Sequence, residues 1–74
     1  MKVGDTVMFV DEGGYKEWFY GKIGEVVNSR VNSAGKQYIN VSWHSPVKYF
    51  GKNTSYSSFR ASWFKLMSEA DEAS

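Results

Sequence analysis

Hydrophobic positions along the chain alternate in short stretches, the period of β-strands with one buried face. In Thr6–Val10, Val7 and Phe9 alternate with Thr6 and Met8, which predicts a first strand. Val3 is placed beneath it. Asp11-Glu12-Gly13-Gly14 breaks the pattern, and the aromatic group Tyr15-Lys16-Glu17-Trp18-Phe19-Tyr20 ends at Gly21. Glycines at both ends favour a long, partly structured loop over a helical turn there. Lys22–Arg30 reads as the second strand, with Gly24 inside it marking a bulge or a close backbone approach. Asn32-Ser33-Ala34-Gly35 is a hairpin turn with Gly35 at positive φ. Gln37–His44 is the clearest strand: Ile39, Val41 and Trp43 share one face, and Tyr38, Asn40, Ser42 and His44 the other.

Beyond His44 the alternation fades. Ser45–Ser58 reads as a polar loop around Pro46, with at most a brief strand near Lys48–Phe50. Phe59–Ser62 reads as a short 3-10 turn and Trp63–Met67 as a closing strand. In that strand Phe64 and Leu66 point inward, which sends Trp63 outward. Ser68–Ser74 is an acidic, small-residue tail that frays. Five strands separated by glycine turns predict an all-β fold, a small antiparallel barrel over residues 1–67 with a flexible tail over 68–74.

Gly4-Asp5-Thr6-Val7, followed after a loop by Gly21-Lys22-Ile23-Gly24-Glu25-Val26-Val27, resembles the opening of the SH3-like small barrels. Within them it is similar to the KOW motif, a Gly-Asp-x-Val strand and then Gly-x-x-Gly-x-Val entering the second strand. The likeness runs over about residues 3–67. It implies a five-stranded barrel that binds rather than catalyses. KOW domains imply nucleic acid as the ligand, whereas Tudor, chromo-barrel, CAP-Gly and true SH3 domains imply peptides, so the fold does not choose.

Composition narrows the class. A chain of 74 residues without cysteine forms one domain held by apolar packing alone. Three Trp, five Tyr and five Phe exceed what so small a core hides, so some form an exposed platform or fold back to seal the barrel ends. No apolar run approaches the roughly 20 residues of a membrane span. No signal peptide is recognisable, and a cytoplasmic location is expected. His44 has no second histidine and no cysteine to complete a metal or catalytic set. No nucleophile elbow or phosphate-binding loop occurs. Neither an enzyme nor a cofactor is expected.

Charge changes the picture more. The net charge is +1, but residues 26–67 contain Arg30, Lys36, Lys48, Lys52, Arg60 and Lys65 and no carboxylate. The acids gather before and after, at Asp5, Asp11, Glu12, Glu17 and Glu25 and at Glu69, Asp71 and Glu72. The six cations, with Trp63, Tyr49 and Tyr56 to stack on bases, form the candidate interface for DNA or RNA without sequence reading. The alternative is a protein partner, with Tyr15, Trp18, Tyr20 and Phe50 lining a peptide groove. Size alone adds a third reading, a phage-type accessory protein that masks a larger enzyme such as one of transcription. A monomer or weak homo-oligomer suits each.

Overall fold

The computed structural model describes residues 1–69. The chain runs β1 (Thr6–Phe9), α1 (Lys16–Phe19), β2 (Ile23–Val31), β3 (Gln37–Tyr49), β4 (Lys52–Arg60), a 3-10 turn (Ala61–Trp63) and β5 (Phe64–Ser68). All five strands lie in one antiparallel sheet ordered β4-β3-β2-β1-β5. The all-β expectation holds. Barrel closure does not follow, because β4 and β5 are the two edges of an open sheet.

Alternation builds the inner face as the sequence indicates. Val7, Phe9, Val26, Ile39, Val41, Trp43, Val47 and Phe64 are buried on it. Phe9 is the hub, with edge-on rings at 5.1 Å (Phe59) and 5.4 Å (Phe64). Trp43 stacks on Phe19 at 5.4 Å and donates its indole N–H to Ser57 Oγ at 3.0 Å.

Residues 15–20 do not form a loop. Phe19 is 2% exposed and anchors the single helical turn α1 over the open sheet. Phe19 N–H bonds Tyr15 O at 3.0 Å, and Gly21, at φ 80°, reverses the chain into β2. The tertiary contact of one aromatic outweighs the flanking glycines.

The segment 45–58 is corrected most. Instead of a loop, β3 continues to Tyr49 and returns as β4. Pro46 is tolerated because the ladder is interrupted between Ser42 and Val47, where no proline N–H is required. The inward phase resumes with Val47, and Phe50-Gly51 closes the hairpin, both at positive φ (50° and 77°). Gly35 takes φ 80° in the β2–β3 turn, as expected.

Three smaller expectations fail. Val3 is 57% exposed rather than packed under β1. Leu66 pairs with Val7 near the sheet edge and stays exposed. Trp63 belongs to the 3-10 turn, not the strand, and is half-buried against Phe59, Tyr15 and Phe9. Of the predicted tail, Ser68 ends β5 and residues 70–74 lie outside the described residues.

Candidate nucleic-acid interface

The inner face is filled, so the surface that strand register builds on the other side is what remains. The pairings Arg30↔Tyr38 and Tyr38↔Arg60 place these three residues in one row across β2, β3 and β4. The next row is Asn28, Asn40 and Ser58, and the next Glu25, Ser42 and Tyr56. A bulge at Val27 lets Glu25 and Asn28 share this face although their spacing is odd. Glu25 is the single carboxylate of these three strands.

Arg30 lies across the face rather than extending from it. Its Nη1 donates to Asn40 Oδ1 at 3.1 Å and its Nη2 to Ser58 Oγ at 3.2 Å. The guanidinium carbon is 5.9 Å from the centre of the Tyr38 ring. These contacts hold the planar fork in place and leave further N–H donors open to an anion.

Lys36 approaches the same end from the β2–β3 turn. Asn32 fixes that turn, its Oδ1 accepting from Ala34 N–H and Lys36 N–H at 3.0 Å each. Lys36, Gln37, Arg60, Ala61 and Ser62 line an open cleft of about 400 Å³. Gln37 also binds Met1 O and Ser29 Oγ, at 2.6 and 2.7 Å. Arg30, Lys36 and Arg60 thus converge on one end of the sheet.

The other cations do not join them. Lys48 and Lys52 flank the β3–β4 turn, about 30 Å along β3 from Tyr38 by strand rise. The longest dimension of the chain is 39 Å. Lys65 pairs with Met8 on the edge strand β5, away from both groups. The one basic surface expected from composition is therefore two ends and an edge.

The aromatic candidates divide as well. Trp63 and Tyr49 are half-buried. Tyr49 is held between Trp18 at 5.0 Å and Phe19 at 5.4 Å. Tyr15 packs on Phe59 at 5.0 Å, so Tyr15, Trp18, Tyr20 and Phe50 do not line one groove. Three rings face solvent: Tyr20, with Lys16 Nζ 5.9 Å from its centre, Phe50 and Tyr56. Tyr56 is 67% exposed and lies on the same face as the arginine row. Tyr38, Asn40 and Ser58 were not among the candidates from sequence. Tyr38 and Asn40 sit on the polar phase of β3, which was visible, but their arginine partners appear only through register.

His44 is exposed beside Lys22 and Ser45 in a second depression of about 310 Å³. No set of three His, Cys, Asp or Glu side chains suited to a metal occurs among the described residues. No helix among them is long and apolar enough to cross a membrane.

Fold and surface together define a small all-β chain whose polar outer face carries a cationic end. Comparison with family models, with curated proteins and with solved structures finds no match.

Proposed function

We propose that the chain is a non-enzymatic binding module of the cytoplasm that takes single-stranded nucleic acid on the outer face of β2, β3 and β4, with little reading of sequence. The observation that carries this is the row Arg30–Tyr38–Arg60, closed at its end by Lys36. Arg30, Arg60 and Lys36 neutralise phosphates, Asn28, Asn40 and Ser58 supply hydrogen bonds, and Tyr56 offers a stacking face. A duplex-reading helix is not available, since α1 is one turn long. The resemblance of Gly21–Val26 to the KOW motif agrees with this ligand.

The test is backbone amide shift mapping with a single-stranded oligonucleotide. Shifts are expected at residues 28–30, 36–40 and 56–62. Three phosphate contacts on single-stranded nucleic acid give a log–log salt slope of about −2. Arg30→Glu with Arg60→Glu removes binding. Absence of shifts at about 0.1 mM protein and low salt, where non-specific binders are half-saturated, overturns the reading.

A further inference from the structure

Phe50 occupies a position where a bulky side chain is out of place. It is the first central residue of a two-residue hairpin turn, with φ 50°, and Gly51 follows at φ 77°. Positive φ at both positions is the geometry that favours Asn-Gly. A non-glycine residue held there is strained, and such strain concentrates at functional positions. Burial does not compensate, because Phe50 is 71% exposed, the most exposed of the large hydrophobic side chains. Its ring rests on Trp18 at 4.9 Å and on Tyr49 at 4.5 Å, and these two sit 5.0 Å apart, edge to face. The ring is thus supported from behind and free in front.

The charge around it selects the ligand. Lys48 pairs with Asn53 and Lys52 with Tyr49, so one lysine stands on each arm of the hairpin beside the tip. Neither β3 nor β4 contains a carboxylate. A protruding aromatic between two cations matches an unpaired base between two phosphates.

We infer that the β3–β4 tip is a base-stacking wedge. Phe50 stacks on a base and Lys48 and Lys52 hold the adjoining phosphates. This rests on the nucleic-acid reading above and gives that interface a second contact point at the opposite end of the hairpin. Tyr56 lies between the two on β4. A strand that touches both must cover about 30 Å, which is about 9 nucleotides at the stacked spacing of 3.4 Å.

The experiment uses the full chain, fluorescein-labelled oligothymidylates of about 5 and about 14 nucleotides, and the variants Phe50→Asn and Lys48→Glu with Lys52→Glu. Asn suits the left-handed turn, so Phe50→Asn melts at or above the parent temperature and reports on binding without loss of fold. The expected result is that Phe50→Asn weakens the long oligonucleotide about tenfold and leaves the short one unchanged. The parent salt slope steepens from about −2 for the short strand to about −3.5 for the long, and the Lys48→Glu, Lys52→Glu pair returns it to about −2. If Phe50→Asn binds the long strand like the parent, the wedge is overturned while the arginine row stands, and the strained tip belongs to a protein contact. If neither oligonucleotide binds the parent, the nucleic-acid reading itself falls, and the wedge with it.

Discussion

Gly24→Ala tests whether the close approach of β2 and β3 organises the fold. Gly24 lies in the middle of the sheet, paired with Val7 on one side and Trp43 on the other, and it is buried. A Cβ there would collide with Val41 Cγ1 and stand 2.7 Å from the Ser42 carbonyl oxygen and 3.2 Å from its carbon. Normal carbon contacts begin near 3.5 Å. Val41 is fully buried and β-branched, so its methyl has nowhere to rotate. The Ser42 carbonyl belongs to the backbone of the central strand and moves only with it. Overpacking of this kind costs about 1–3 kcal/mol, and the involvement of backbone places Gly24→Ala at the upper end. Restriction of the unfolded chain returns about 0.4–1 kcal/mol, because the φ of Gly24 is not in the left-handed region.

The net loss is about 2 kcal/mol, and at roughly 4–8 °C per kcal/mol the melting midpoint falls by about 8–16 °C. Gly14→Ala is the control, since a Cβ there meets nothing within 4 Å. It should gain about 0.4–1 kcal/mol and melt a few degrees higher. Thermal and urea unfolding followed by circular dichroism measure both. In the cycle with Val41→Ala the double variant should be less damaged than the sum of the two singles. Gly24→Ala melting within two or so degrees of the parent, or no coupling to Val41, would refute the argument.

Other outcomes follow from the same geometry. Ser57→Ala leaves the buried indole N–H of Trp43 without its acceptor and should cost about 1–2 kcal/mol, whereas Ser58→Ala on the outer face stays within about 0.5 kcal/mol by urea unfolding. Arg30→Lys keeps the charge but loses the fork on Asn40 and Ser58; its melting curve should match the parent while oligonucleotide affinity falls several-fold, and equal affinity would show that charge alone matters. Glu25→Lys removes the only carboxylate of strands β2 to β4 and should tighten oligonucleotide binding and steepen its salt slope by about 0.7, with no change in stability.

Much of the sheet was legible because hydrophobic alternation and core position coincide in β1, in β3 up to Trp43, and at the Asn32–Gly35 turn. The second half of β3 was hidden by His44-Ser45-Pro46, three residues that read as a breaker but occupy the interrupted part of the ladder. β4 was hidden for a different reason. As an edge strand it buries little, and its inward phase breaks between Ser57 and Thr54, so no period survives in Lys-Asn-Thr-Ser-Tyr-Ser-Ser-Phe-Arg. The helical turn α1 escaped because four residues carry too little local signal, and the burial of Phe19 decides it. Openness of the sheet was not readable at all, since it depends on whether the two edge strands meet.

The aromatic excess has a structural origin that also narrows the interface. An open sheet exposes one end of its inner face, and Tyr15, Trp18, Tyr49, Phe59 and Trp63 close that end against Phe9 and Phe19. These rings are taken by packing, which removes Trp63 and Tyr49 as stacking residues. Ligand-facing aromatics are confined to those packing does not use, Tyr56 on the outer face and Phe50 at the tip, with Tyr20 beside α1. Charge is separated in the same manner. Asp5 is buried and paired with Lys2 at 3.5 Å, and Asp11, Glu12 and Glu17 lie before and in α1. The outer surface of β2, β3 and β4 keeps its cations with one acid among them. A net charge of +1 thus describes a chain whose opposite charges sit on different surfaces, and affinity for a polyanion depends on the local group of Arg30, Lys36 and Arg60 rather than on the total.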